Sequence, residues 1–280
     1  MRRDRFHGQH REWGAIGVFL AGLCVLAALL AHALYHVQWD DTDIPNDCFA
    51  WPAAAMDEEA KEAMMLKIAC LTFDDGPSKH TEEILSILQE YDVPATFFVT
   101  AQGVNEPYLP LVKTIAEQGH QIALHSASHE YNQIYQSTEA FWLDIKALRQ
   151  ALSPYVDVES IHWLRFPGGS TNTVSHRYGG KGIMKQLIRQ AEEKGYEWID
   201  WNVCAEDATA SHPDADRILK NIQQDAKGRD LCVVLLHDTK ATGQTVKALP
   251  DIIEWFQSEG YHFTTVEEMA AARGLQNGTK

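Results

Sequence analysis

The chain has 280 residues, of which 45% are hydrophobic and 22% charged, a composition typical of a globular protein with one large domain or two small ones. Its formal net charge of -15 argues against a nucleic-acid partner, because binding to a phosphate backbone needs clustered lysine and arginine.

The first 36 residues differ from the rest. Arginines dominate the start of the chain, residues 14–31 carry no charge, and the apolar run continues to about residue 36, which is the length that a helix needs to cross a bilayer. Basic residues before this span and acidic residues after it place the N-terminus in the cytoplasm and the remainder outside, so we expect a single-pass protein of the cell membrane. The predicted segments are a cytoplasmic tail (1–13), a transmembrane anchor (14–36), a stalk (37–66), one main extracytoplasmic domain (67–272) and a short tail (273–280).

A cleaved signal peptide is the alternative reading of the N-terminus, because Ala31-His32-Ala33 has the small-x-small form of a cleavage site. The apolar stretch is longer than the roughly 7–15 residues of a signal core, which favours a retained anchor. A lipoprotein signal is disfavoured, because Leu23 precedes Cys24 where a small residue is needed.

From residue 67 onward, short β-rich runs alternate with longer amphipathic runs. Strict alternation of this kind favours a parallel sheet with helical crossovers, either a barrel or a doubly wound fold. The predicted strands are 68–73, 95–99, 121–124, 160–164, 197–202, 231–236 and 261–264. The predicted helices are 81–91, 107–118, 138–152, 182–194, 214–225 and 245–258.

Polar residues follow several of these predicted strands directly. Asp74 and Asp75 follow the first strand, His125 the third, Arg165 the fourth and His237 the sixth. Because the loops at the carboxyl ends of parallel strands converge on one mouth, we expect these side chains to form one site.

The spacing of His125 and His129 allows both imidazoles to meet one metal ion. Two histidines and one carboxylate, with the remaining positions open to water and substrate, form a usual catalytic zinc set. One member of the pair Asp74-Asp75 would be that ligand, and the other would accept a proton from the attacking water. This arrangement also explains how two adjacent carboxylates remain ionised.

Five ordered motifs of the sequence resemble those of the polysaccharide deacetylase family, the NodB-homology group of carbohydrate esterases. The resemblance runs from about residue 68 to residue 265 and implies a distorted, incomplete (β/α) barrel, often of seven strands, and metal-dependent removal of acetyl groups from polysaccharides. The motifs are Thr72-Phe73-Asp74-Asp75-Gly76-Pro77, His125-x-x-x-His129, Arg165-Phe166-Pro167-Gly168-Gly169, Asp200-Trp201 and Leu235-Leu236-His237.

The resemblance assigns roles to the first three motifs. Asp74 resembles the catalytic base, and Arg165 the arginine that pairs with this base and keeps it ionised. Asp75, His125 and His129 resemble the metal triad. Zinc is the preferred ion, and a site of this composition also accepts cobalt, manganese or nickel.

The resemblance also assigns the other motifs. His237 resembles the general acid that protonates the departing nitrogen, Asp200 the residue that orients or tunes this acid, and Trp201 and Leu235 the lining of the acetyl groove. Gly168 departs from the family pattern, because many members have a bulky residue, commonly tyrosine, in its place. Its backbone N–H could still help to bind the oxyanion.

Together these features predict a zinc-dependent deacetylase of a polymer containing N-acetylglucosamine, with peptidoglycan preferred because the anchor holds the domain beside the cell wall. Chitin oligomers, exopolysaccharide and O-acetylated xylan stay open as substrates. The two rivals from other classes are a catalytically silent wall-binding protein on the same fold and a phosphatase with an aspartyl nucleophile, although the latter chemistry usually uses Asp-x-Asp.

Overall fold

The computed structural model describes residues 66–273. The chain divides after residue 55, and all of the described residues belong to the second unit, residues 56–280. The predicted anchor, the alternative signal peptide and nearly all of the predicted stalk therefore lie outside the described residues. Between residues 66 and 273, no helix combines the length and apolar character that crossing a membrane requires.

Eight parallel strands form one sheet. Their order is β5-β4-β3-β2-β1-β7-β6, and β8 pairs with the beginning of β1. The central strand β1 is buried along both faces after its first residue, and for this reason its sequence is a nearly continuous apolar run. The strands are β1 Lys67–Asp74, β2 Ala95–Thr100, β3 Gln121–Ser126, β4 Trp163–Leu164, β5 Glu197–Trp198, β6 Val203–Cys204, β7 Leu231–His237 and β8 Tyr261–Phe263.

The sheet curls into a distorted, incomplete barrel. Its two edge strands, β5 and β6, are joined only by residues 199–202, a link that spans at most about 18 Å when fully extended. The edges must therefore lie near each other, although no strand pairing joins them. The predicted α/β class with a parallel, barrel-like sheet is confirmed. The strand count is corrected from about seven to eight, because the predicted strand 197–202 is broken into two.

Helices cover the outside of the sheet. The six predicted helices are present as α1, α2, α4, α6, α7 and α8, and α2 begins later than predicted because a 3₁₀ turn occupies Glu106–Tyr108. Two of the three helices that were not predicted are only four residues long, too short to show helical periodicity. The helices are α1 Thr81–Glu90, α2 Leu111–Glu117, α3 Tyr131–Ile134, α4 Thr138–Leu152, α5 His176–Gly179, α6 Ile183–Glu193, α7 Ala215–Ala226, α8 Gly243–Ser258 and α9 Val266–Ala272.

Alternation along the strands separates two apolar cores. On β1, Leu71 and Phe73 pack between the sheet and the outer helices, whereas Ile68 and Cys70 belong to a smaller core inside the barrel. Met269 of α9 packs into this inner core. Because the first residues of α9 bond to side chains at the start of β2 and β3, the helix closes the amino-terminal end of the barrel, and the open mouth lies at the carboxyl ends of the strands.

Candidate active site

Two acidic residues at the end of β1 face the mouth of the barrel. Asp74 continues the inward-facing side of β1 and is buried. Asp75 follows in the left-handed backbone region, with φ of 72°, which is uncommon for a residue with a side chain and is concentrated at functional sites. This turn of the chain directs the second carboxylate past β2 toward His125 and His129, at the end of β3 and in the loop that follows it.

Asp75, His125 and His129 converge as the sequence predicts. The Oδ1 atom of Asp75 lies 3.6 Å from Nε2 of His125 and 3.4 Å from Nε2 of His129, and the three donor atoms lie within 4.8 Å of one another. Asp75 Oδ1 is buried and has no hydrogen-bond partner, an arrangement that is costly unless another group compensates it. Two imidazole nitrogens and a carboxylate oxygen are ligands of zinc and related ions, so these residues fit a divalent metal.

The protonation of His125 suits this role. Its Nδ1 lies 2.7 Å from the carbonyl oxygen of Arg165, and since a carbonyl only accepts, Nδ1 carries the proton and Nε2 keeps its lone pair. Burial lowers the pKa of His125, against the opposing charge of Asp74. The ring is therefore neutral, which is the form that binds a metal.

Asp144 of helix α4 holds the loop between the two histidines. Its carboxylate accepts hydrogen bonds from the Ser126 hydroxyl at 2.6 Å and from the backbone N–H groups of Ala127 and Ser128 at 2.8 and 2.9 Å. The Ser126 hydroxyl in turn accepts the backbone N–H of His129 at 2.8 Å, and His129 has a positive φ of 55°. Asp144 thus supports the unusual backbone of a candidate metal ligand, a role that the motif itself did not indicate.

Arg165 is completely buried beneath Asp74. Its Nη1 donates to Oδ1 of Asp74 and to the hydroxyl of Thr72, each at 2.8 Å, and its guanidinium lies 4.0 Å from the centre of the Phe98 ring. The other nitrogens donate to the carbonyl oxygens of Ile199 and Asp200, each at 3.1 Å. These two carbonyls lie in the break between β5 and β6. The arginine therefore neutralises Asp74 and also supplies hydrogen bonds to backbone carbonyls that no neighbouring strand of the described sheet pairs.

His237 ends β7, and its partner corrects the expectation for Asp200. The Nδ1 atom of His237 lies 2.8 Å from Oδ1 of Asp207, and Oδ2 of Asp207 accepts the backbone N–H of His237 and the hydroxyl of Thr245. Burial lowers the pKa of His237, but the hydrogen bond and charge of Asp207, with smaller contributions from Asp74 and Asp75, outweigh it and raise the pKa to about 9. At neutral pH this imidazole is protonated.

Asp200 instead supports the loop that follows β4. Its carboxylate accepts the backbone N–H of Ser170 at 2.9 Å and the hydroxyl of Ser170 at 2.5 Å. The sequence missed Asp207 because β6 was not predicted as a separate strand. With the end of that strand known, Asp207 would have qualified as another polar residue just beyond a strand end.

The residues expected to contact substrate occupy different depths. Gly168 is exposed at the mouth, while Leu235 is buried on β7. Trp201 is half-buried against the inner core and close to Gly169, where a Cβ would lie 3.2 Å from the indole ring. Gly168 and Trp201 therefore lie on or near the surface that a ligand reaches. Leu235 is buried and packs behind that surface.

Asp238 joins the loop of the acidic pair to the loop of His237. Its buried carboxylate accepts the hydroxyls of Ser78 and Thr81 at 2.6 and 2.5 Å, and a Cβ added at Gly76 would lie 2.5 Å from its Oδ2 atom. Asp238 thus binds the first turn of α1 and the loop before it, and Gly76 permits this close approach.

Comparison with known proteins places this geometry in a family. A family model described as polysaccharide deacetylase matches residues 48–187. A peptidoglycan-N-acetylglucosamine deacetylase of Bacillus cereus is 32% identical over 72% of this chain and 88% of its own. A bifunctional xylanase/deacetylase of Pseudobutyrivibrio xylanivorans is 33% identical over 75% of this chain, which spans only 31% of that longer protein.

A solved structure agrees with these matches. The catalytic domain of a peptidoglycan N-acetylglucosamine deacetylase from Eubacterium rectale superposes with a TM-score of 0.67 and 39% identity, covering 71% of this chain and 88% of that one. The chain belongs to the polysaccharide deacetylase family. The resemblance inferred from the five motifs is thereby confirmed.

Proposed function

We propose that the protein is a metal-dependent hydrolase that removes N-acetyl groups from a polysaccharide containing N-acetylglucosamine. The observation that carries the proposal is the meeting of Asp75, His125 and His129 beside two proton-transfer groups, Asp74 and His237. Family membership supports deacetylation as the reaction, and the unpartnered oxygen of Asp75 supports a bound cation.

Asp75, His125 and His129 would hold the metal, which when bound supplies Lewis-acid polarisation and lowers the pKa of a coordinated water. Asp74 accepts the proton of the attacking water, and Arg165 offsets its charge and fixes one of its oxygens. The other oxygen of Asp74 faces His125 at 3.8 Å and is on the side where the water must lie. Asp74 is thus positioned as a general base.

His237 supplies the second proton transfer. Expulsion of an amide nitrogen requires protonation, because an amide anion is an extremely poor leaving group. The hydrogen bond from Nδ1 of His237 to Asp207 fixes the orientation of the ring and keeps the ring charged, so Nε2 is the nitrogen that delivers the proton.

Peptidoglycan is the proposed polymer. The names of the Bacillus cereus and Eubacterium rectale relatives support it, as does the predicted anchor, which would hold the domain beside the wall. The Pseudobutyrivibrio xylanivorans relative, named a xylanase/deacetylase, keeps acetylated xylan as the alternative to be compared in the same assay.

The proposal is tested by acetate release from peptidoglycan, chitin oligomers and acetylated xylan, using the full chain purified in detergent. We expect release from peptidoglycan, its abolition by a chelator, and its reduction by at least about 100-fold in Asp74→Asn, the loss that follows removal of a general base. Asp251→Asn, an exposed carboxylate of α8, is the matched control and should retain full activity.

Two results would exclude the proposal. A wild-type protein that binds peptidoglycan but releases no acetate would be the silent wall-binding protein, and release of phosphate from an aryl phosphate would indicate the phosphatase. Acetate release from xylan alone would retain deacetylation as the reaction class, but it would change the polymer and also the bond cleaved, from an amide to an ester.

We also propose that residues 14–36 anchor the enzyme in the cell membrane with the catalytic domain outside. The support is the length of the apolar run and the charge difference across it. Recovery of the full-length chain in the membrane fraction, with residues 66–273 cleaved by protease added outside the cell, is the expected result. A shortened chain in the medium would instead indicate cleavage after Ala33.

A further inference from the structure

The ring of Tyr131 stands beside the candidate metal site. Tyr131 is the first residue of α3, and its ring meets the imidazole of His129 edge to face, with 5.5 Å between the ring centres and 88° between the planes. On its other side it lies 5.8 Å from the ring of Tyr135, whose hydroxyl donates to the carbonyl oxygen of Pro167. The ring is therefore fixed between a candidate metal ligand and the loop that follows β4.

Tyr131 occupies the space into which a side chain at position 168 would project. A Cβ built on Gly168 would lie 2.8 Å from the Tyr131 hydroxyl oxygen and 3.2 Å from its Cε1 atom. Gly168 also has φ of 78°, which disfavours a side chain independently. Tyr131, from the loop after β3, therefore fills the space beside position 168, in the loop after β4.

The hydroxyl of Tyr131 is available to a ligand. Within residues 66–273 no hydrogen bond engages its oxygen, the side chain is half-buried, and the neighbouring Gly168 is exposed. A tyrosine hydroxyl can donate a hydrogen bond, and among the described residues this one has no acceptor.

We infer that Tyr131 contacts the substrate: its hydroxyl donates a hydrogen bond to an oxygen of the sugar unit bound at the metal site, and its ring forms the wall of the site beside Gly168. This inference rests on the proposed deacetylase function. It assigns a specificity-determining residue to a position outside the five motifs, and it gives a physical reason for the glycine at 168.

The kinetic test compares Tyr131→Phe with the wild-type full chain in acetate release from a soluble chitin oligomer and from peptidoglycan. Loss of one hydrogen bond to substrate should lower kcat/KM by about 3- to 10-fold, while zinc affinity, measured by competition with a chromophoric chelator, stays within twofold. Tyr91→Phe is the control, because the Tyr91 hydroxyl bonds Glu254 on the outer surface. It should match the wild type in both measurements.

A second test does not depend on activity. Gly168→Ala should lower the Tm more in the wild-type background than in Tyr131→Phe, because the closest clash involves the hydroxyl oxygen. Equal losses in the two backgrounds would contradict the proposed occupation of this space.

The experiments distinguish a failure of the Tyr131 inference from a failure of the proposed function. If Tyr131→Phe equals Tyr91→Phe in kcat/KM while Asp74→Asn is inactive, the contact is refuted and the proposed function stands. If Tyr131→Phe weakens zinc binding tenfold, Tyr131 acts by packing against His129, which also overturns the inference. If the wild type releases no acetate from any polymer, both proposals fall.

Discussion

His237 and Asp74 are each paired with one buried group of opposite charge. Arg165 fixes one oxygen of Asp74, and Asp207 fixes Nδ1 of His237. In both pairs the partner is fully buried, so the interaction is weakly screened by solvent and salt. Removing a partner therefore leaves a buried charge unpaired and removes the contact that fixes the orientation of the proton-transfer group.

The pH dependence of activity should show the effect of Asp207 on the pKa of His237. Since the pKa of His237 is raised, the ring is charged at low pH and loses its proton as the pH rises, so its deprotonation sets the basic limb of kcat/KM. A bound cation offsets the smaller contributions of Asp74 and Asp75 but leaves the hydrogen bond and charge of Asp207, so we expect the limb above neutral pH and no higher than about 9. In Asp207→Asn the limb should move to lower pH by at least about one unit.

The control for this shift is Asp225→Asn. The Asp225 carboxylate accepts a hydrogen bond from the backbone N–H of Cys204, three residues before Asp207, and does not contact His237. Its pH profile should coincide with that of the wild type. An unchanged basic limb in Asp207→Asn would show that another group is the acid.

At the scale of elements, helix α4 supports the metal loop through one carboxylate. Asp144 accepts three hydrogen bonds from residues 126–128. In Asp144→Ala the loop loses these acceptors, and zinc affinity should fall by about 10- to 100-fold, the usual effect of removing an outer-shell partner. Chelator competition measures it, and Asp216→Ala, exposed on α7, should bind zinc as the wild type does.

Helix α9 closes the barrel opposite the site, and its capping box gives a separate stability prediction. Thr265 and Glu268 exchange side-chain and backbone hydrogen bonds at the start of the helix. Thr265→Ala should lower the free energy of unfolding by about 1 kcal/mol and the Tm by about 2–4 °C. Ser153→Ala, which removes an exposed hydroxyl, should change neither. A loss of metal affinity in Thr265→Ala would contradict the separation between the two ends of the barrel.

At the scale of the whole molecule, the candidate metal links two strands that β2 separates in the sheet, because Asp75 follows β1 and His125 and His129 belong to β3 and its loop. A ligand that binds only the folded state stabilises it, by about 2.7 kcal/mol at a free concentration of 100 times Kd. Zinc should therefore raise the Tm of the full chain, and a chelator should reverse the change. In His129→Ala the response should be much smaller, whereas in His262→Ala, on the edge strand β8, it should be unchanged.

Features that depend on residues close in sequence could be predicted, whereas features that depend on contacts between distant residues could not. The long helix 138–152 was predicted with its observed bounds, because the spacing of apolar residues along an amphipathic run is a local signal. The break at residues 199–202 was not predicted, because it depends on the guanidinium of Arg165, more than thirty residues earlier. Asp207 and Asp144 were missed for the same reason, since each acts on a partner that is close only in the folded chain.

The sequence by itself determined the α/β class, the family and the residues placed at the ends of strands, because hydrophobic periodicity and short motifs are properties of neighbouring positions. Only the tertiary structure decided that Asp207 rather than Asp200 holds His237, that Asp238 joins two loops, and that Tyr131 occupies the space beside Gly168. Those contacts join segments separated by tens of residues or more, and their geometry is set by how the sheet curls and the loops pack.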